Sequence, residues 1–220
     1  MEFEEKTLSS KPVYDGKIVK VFKDDVEISD GHKAFREVVR HSGGVVILAV
    51  KKDKREETAS QSLYISSSNL TPTPTLPLGE GGATTASQNK ILFVRQYRYP
   101  ISKPLLELPA GKLEPDENPF LAAKRELEEE TGYRADKWSD LGYVYTSPGY
   151  SDEKLYLYLA ENLQYTNPHP DEGEILEPLE INYSDALEMI KTGEITDAKT
   201  LCAFMKFTLL LNSATAQDMS

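Results

Sequence analysis

GKLEPDENPFLAAKRELEEETGY, residues 111–133, is the stretch on which the reading of this chain turns. Its fixed points are Gly111, Glu117, the run Arg125-Glu126-Leu127, the pair Glu129-Glu130, and Gly132-Tyr133. Asn118 suits an N-cap, Pro119 the first helical position and Gly132 the residue just past a helix end, which predicts a helix of about 13 residues between them. At 3.6 residues per turn Glu126 and Glu130 stack one above the other with Glu129 beside them, on one acidic face. Phe120, Ala123 and Leu127 make the opposite, core-facing stripe.

Like charges at that spacing cost a helix a few tenths of a kcal/mol per pair, so the acidic face calls for a cation. Magnesium fits: it is hard, prefers carboxylate oxygens, and is held by a few carboxylates together with substrate phosphates. For an isolated run of glutamates a solvated surface is the ordinary explanation. The glycine, the arginine and the upstream glutamate, all in register, turn the balance toward a metal site.

Composition narrows the class. The chain has 220 residues, 39% of them hydrophobic, enough for one sizeable core and an appendage. A net charge of −11 and a pI near 4.9 oppose binding to nucleic acid or an anionic membrane. Cys202 is the only cysteine, which points to a reducing compartment, the cytosol, and to inert packing of the thiol. No run of 18 apolar residues exists, and MEFEEKTLSS lacks the basic start and apolar stretch of a signal peptide. His32, His41 and His169 lie near no serine elbow, and Gly79-Glu80-Gly81-Gly82 lacks the lysine of a phosphate loop.

Along the chain, residues 16–22 (GKIVKVF) and 34–39 (AFREVV), punctuated by Asp-Gly turns, predict a small antiparallel sheet within residues 1–42. The unbroken apolar run 43–50 (GGVVILAV) predicts a strand buried on both faces, with 91–98 (ILFVRQYR) as its partner. Between them residues 53–89 are crowded with Ser, Thr, Pro and Gly and read as a low-complexity, disordered insertion, with a lid or docking loop as the functional alternative. Its 37 residues far exceed the ~2–5 of an ordinary hairpin loop. Strands are expected at 141–147, 154–161 and 175–181, a short helix at 184–191, and a longer one at 197–211 with Leu201, Met205 and Leu209 in step. The main domain thus runs over 43–213, with a tail at 214–220, and the fold class is mixed α/β.

The pattern of residues 111–133 resembles the signature of the Nudix hydrolases at every fixed position, with Tyr133 where an aliphatic residue is commoner. The resemblance implies an α/β/α sandwich in which Glu126, Glu129 and Glu130 gather Mg²⁺, with Mn²⁺ as a substitute. It also implies that Arg125 and Glu117 tie loop to helix. Gly111 is expected where the backbone turns sharply into a conformation open only to glycine. Outside the signature, ELPAG (107–111), SPGYSDE (147–153) and DEGE (171–174) are similar to the ADP-ribose pyrophosphatases of that family.

That likeness implies a homodimer whose N-terminal sheet is swapped between subunits. It makes Ala110, through its carbonyl, with Glu126, Glu130 and Glu174, direct metal ligands, and Glu129 a further ligand or a carboxylate supporting them. Glu172 is the implied general base, although Glu174 could exchange roles with it or a different loop carboxylate could serve. Arg36, Arg98, Glu107, Ser147, Glu153 and Phe22 are the implied contacts to ADP-ribose. The implied reaction splits the diphosphate to AMP and ribose 5-phosphate. The competing readings are a hydrolase of another nucleoside diphosphate sugar such as GDP-mannose, or of a modified nucleotide, and a sensor that binds ADP-ribose without cleaving it.

Overall fold

A computed structural model describes residues 3–52, 89–169 and 175–217. In chain order the strands and helices are β1 (Glu5–Asp15), β2 (Lys20–Ile28), β3 (Lys33–Arg40), β4 (Gly44–Lys51), β5 (Lys90–Arg98), β6 (Lys103–Glu107), β7 (Ala110–Lys112), α1 (Pro119–Thr131), β8 (Tyr133–Tyr145), β9 (Lys154–Tyr165), β10 (Leu176–Asn182), α2 (Tyr183–Thr192) and α3 (Ala198–Gln217). The low-complexity stretch lies outside the described residues apart from Asn89, as do Glu172 and Glu174.

The apolar run at 43–50 becomes β4, and its side chains alternate between two cores as a pleated strand requires. Val46, Leu48 and Val50 join Ile91, Phe93, Leu157, Ala203, Phe204 and Phe207 under α2 and α3. Val45, Ile47 and Ala49 join Leu92, Ala122, Ala123, Leu127 and Ala160 under α1. Sequestering each of the larger side chains is worth roughly 1.5–3 kcal/mol, so this strand anchors both layers of the α/β/α sandwich.

The expected pairing of β4 with the strand at 91–98 holds only at Val50–Ile91 and Lys51–Lys90. Beyond that point β4 and β5 diverge. β4 pairs in parallel with β9 from Gly44–Leu155 to Ala49–Ala160, and antiparallel with β7 on its other side. β5 pairs with β10 on one side and with β6 on the other. Residues 103–112 therefore fill the wedge between the two central strands, β6 on β5 and β7 on β4. Pairing with these diverging strands satisfies the backbone groups of the segment and brings Ala110 to the opening, while Glu107 stays buried.

The N-terminal residues form a three-stranded antiparallel sheet in the order β1-β2-β3, as the turn signals predicted. It has little core of its own: every residue of β1 is exposed, and Asp24 and Val26 are the only fully buried side chains of β2. Its last strand is stitched to the loop after β8, with Val39 N donating to Tyr150 O (2.7 Å) and Asp152 N to Val39 O (3.2 Å).

α3 departs from the expected stripe. Leu201 is half-buried, whereas Met205 and Leu209 are exposed and Ala203, Phe204 and Phe207 face the core. Apolar residues surround this helix almost completely, so period alone could not choose its buried side. Among the described residues no helix is long and apolar enough to cross a membrane.

Candidate active site

Local chemistry fixes the helix that carries the acids. The Asn118 side chain accepts from Phe120 N (2.9 Å) and Leu121 N (3.3 Å), Pro119 occupies the first turn, and Gly132 closes α1 in the left-handed region at φ 71°. Such a cap is worth ~1 kcal/mol. Ala123 and Leu127 are fully buried, and Phe120 packs edge-on against Trp138. Tyr133, unusual for the pattern, uses its hydroxyl: it donates to Glu180 (3.0 Å) and accepts from Lys51 (2.8 Å).

Arg125 organises the acidic face. Its Nε and Nη2 donate to the two oxygens of Glu117 at 3.0 Å each, and Nη1 donates to Glu126 (2.8 Å) and Glu129 (2.9 Å). Glu117 in turn accepts from Glu114 N (3.0 Å), which locks the loop to the helix. The hydrogen bond from Arg125 holds the Glu117 carboxyl below its usual range, and the same contacts raise Arg125 further above its own. The tie expected between Arg125 and Glu117 is present.

Gly111 is needed for a reason other than the one expected. It sits in β7 without a left-handed φ. A Cβ built there would lie 1.8 Å from Glu126 Cδ, so the glycine is the space that admits that carboxylate. Ala110 N donates to the buried Glu130 at 2.9 Å, which fastens β7 to α1.

A second charged group adjoins these acids. The side chain of Glu107, 1% exposed, accepts from Arg98 Nε (2.8 Å) and Nη2 (2.7 Å) and from Lys199 Nζ. Burial alone pushes its carboxyl up, but the Arg98 hydrogen bonds and the charge of Lys199 outweigh this and hold it below its ordinary range. Lys199 also meets Asp197 at 3.0 Å. Asp197 caps α3 by accepting from Thr200 N (3.0 Å) and Oγ1 (2.7 Å), and Thr200 Oγ1 accepts from Leu108 N (3.0 Å).

Both groups open on one cleft of about 840 Å³, whose lining includes Arg98, Ala110, Glu126, Glu129, Glu130 and Glu153. Glu153 accepts from Thr146 Oγ1 (2.6 Å) and lies 3.4 Å from His41 Nδ1, which itself accepts from Gly43 N (3.0 Å). Of the other expected substrate contacts, Glu107 stands behind Arg98 and does not line the cleft. Three stand apart from it. Arg36 pairs with Glu5 beside a separate groove, Phe22 lies under the Arg40 guanidinium, and the Ser147 carbonyl accepts from Tyr150 N and Ser151 N. Lys199, Asp197 and His41 also line the cleft. A solitary lysine at a helix start carries no signal in sequence, although Asp197 three residues before Thr200 reads as a cap.

The donor set suits a hard divalent cation: carboxylate oxygens of Glu126, Glu129 and Glu130 and the backbone of Ala110 share one wall. Among the described residues no three acidic, histidine or cysteine side chains converge on one point. Arg125 instead holds Glu126 and Glu129 side by side on one nitrogen, so a cation would exchange with that hydrogen bonding.

This glycine-bounded loop and acid-bearing helix, set at the divergence of a mixed sheet, define the class. Residues 79–204 match the family pattern described as NUDIX domain, and residues 5–39 match the nucleoside diphosphate sugar hydrolase N-terminal domain. The chain belongs to the Nudix hydrolase family. It is 35% identical over 202 residues to the ADP-ribose pyrophosphatase of Bacillus subtilis (strain 168), covering 91% of this chain and 90% of that one. It is 36% identical over 203 residues to the methanol dehydrogenase activator of Bacillus methanolicus, covering 91% of each. In fold it is similar to a crystal structure described as an ADP compounds hydrolase, with a TM-score of 0.72 at 18% identity over 97% of this chain and 98% of that one.

Proposed function

We propose that this chain hydrolyses the diphosphate bond of ADP-ribose, releasing AMP and ribose 5-phosphate, with Mg²⁺ as cofactor and Mn²⁺ able to replace it. The observation that carries the reading is the shared cleft: three acids of one helix face, the Ala110 strand and the cations Arg98 and Lys199 border a volume suited to a nucleoside diphosphate sugar. Likeness to the Bacillus subtilis ADP-ribose pyrophosphatase over nine-tenths of both chains supports the choice of sugar nucleotide.

In this reading Ala110 O, Glu126, Glu130 and Glu174 hold the metal, with Glu129 as a further ligand or support. A divalent ion held there would supply charge to offset that on the phosphoryl oxygens and would make water more acidic. Water adds to one phosphorus, the bridging P–O bond breaks toward the other phosphate, and Glu172, or Glu174 in exchange, takes the proton. Such proton transfer contributes roughly 10²–10⁴-fold. Arg125 offsets the repulsion between Glu126 and Glu129, and Arg98 and Glu153 are assigned to ligand contacts.

Arg36, Phe22 and Ser147 are assigned to the same ligand across a homodimer. Support comes from a β1–β3 sheet that leaves Leu8, Val13, Tyr14, Ile18 and Phe35 exposed in the single chain. Light scattering should then give twice the 24.7 kDa chain mass. A reducing cytosol suits a chain whose one cysteine is Cys202.

The deciding experiment compares ADP-ribose, GDP-mannose, NADH and diadenosine polyphosphates with Mg²⁺ and identifies the products. AMP and ribose 5-phosphate formed fastest from ADP-ribose support the reading. Preference for GDP-mannose shifts the substrate, and binding without cleavage makes the protein a sensor.

A further inference from the structure

We propose that Lys199 is a positioning residue: through the buried carboxylate of Glu107 it fixes the guanidinium of Arg98, and so sets affinity for the anionic diphosphate of the ligand. The inference rests on the cleft being a nucleoside diphosphate sugar site.

Arg98 alone neutralises Glu107, and its two donors satisfy both oxygens of that carboxylate in a bidentate pair. Both of its oxygens thus have a partner before Lys199 is counted. The molecule nevertheless brings in Lys199, and compensates it separately with Asp197. What the second pair adds, besides charge, is rigidity. Glu107 Oε2 is shared between Arg98 Nη2 and Lys199 Nζ, so the carboxylate plane cannot rotate without breaking one of them.

The first turn of α3 is itself immobilised. Asp197 holds both the Thr200 amide and its hydroxyl, and the fully buried Thr200 grips Leu108 N. Glu107 and Leu108, adjacent in sequence, are thus gripped by one helical turn 92 residues away in the chain. Arg98 directs Nε and Nη2 into this frame, and its Nη1 has no protein partner among the described residues. Arg98 lines the cleft and its side chain is 41% exposed. A guanidinium pinned by two nitrogens offers the third at a fixed place, which lowers the ordering cost of binding an anion.

The test measures ADP-ribose binding by calorimetry in EDTA, where no turnover occurs, for wild type, K199M, K199R, R98M and K199M/R98M. Loss of one charge-assisted contact should weaken binding roughly tenfold in K199M. R98M should weaken it at least as much, K199R should recover most of the loss, and the double variant should bind no worse than R98M. With Mg²⁺ present, K199M should raise KM by the same factor and leave kcat within about twofold. If K199M accumulates poorly, K199A, which removes the donor toward Glu107 without adding bulk, should show the same direction of change.

A folded K199M or K199A with wild-type affinity overturns the proposal. So does a double variant whose losses multiply, because Lys199 then touches the ligand itself. Wild type that binds ADP-ribose but fails to cleave it with Mg²⁺ overturns the hydrolase reading alone, and the affinities still decide the role of Lys199. Wild type that binds neither ADP-ribose nor GDP-mannose overturns both.

Discussion

Replacing Gly111 with alanine should disable the enzyme while leaving its fold intact. The new Cβ would sit 1.8 Å from Glu126 Cδ and 1.9 and 2.3 Å from the two oxygens, whereas ordinary contact starts at 3.4 Å. The carboxylate must withdraw by about 1.6 Å. It can do so cheaply, because it ends a flexible side chain, and β7 has a φ that alanine tolerates. A displacement of ~1 Å at a reacting centre can cost 10²-fold, so kcat should fall by at least that factor, about 2.7 kcal/mol in the barrier. Product release from ADP-ribose at saturating Mg²⁺, beside a melting curve, measures both halves of the claim. G111A with kcat within threefold of wild type and an unchanged Mg²⁺ requirement would refute the idea that this glycine exists to admit Glu126.

E126Q should retain the melting temperature within a few degrees and lose at least ~10² in turnover, and adding it to G111A should cost little more since both remove the same ligand. Calorimetric melting should show E107Q less sensitive to acid than wild type: the Glu107 carboxyl is depressed in the fold, so its contribution is complete above its unfolded value near pH 4.5 and lost as pH falls through the lower folded value. Equal loss of stability on acidification in both proteins would contradict that assignment. Exchanging residues 53–89 for an Asn-Gly turn should close a β4–β5 hairpin, because Lys51 already faces Lys90, and leave kcat/KM unchanged. Lost dimerisation or an altered substrate preference in that deletion would show that the segment takes part in function.

Short-range features were legible because their causes are local. Asn118, Pro119 and Gly132 bracket α1 where the capping rules put it, and the Asp-Gly turns mark the N-terminal sheet. The neighbours of β4 were not legible, since its parallel partner β9 lies more than 100 residues away and an apolar run carries no label for what it pairs with. The buried face of α3 was lost in a helix apolar on nearly every side. In the site, Glu126, Glu129 and Glu130 announced themselves through spacing, whereas Lys199 gains meaning only when the sheet's divergence brings Glu107 to it. Gly111 was recognised as necessary, but its cause is a side chain fifteen positions later and not its own torsion angles.

The parallel pairing of β4 with β9 also constrains how the chain can fold. Joining β4 to β5 directly would have made a fast local nucleus, but the intervening segment removes it, at about 0.6 kcal/mol of closure entropy per doubling of loop length. The longest local ladder left in the main sheet is β8 with β9, joined by residues 146–153. Nucleation should therefore begin on that hairpin, with β4 condensing onto a preformed edge, so that the catalytic wedge is among the last parts of the molecule to assemble.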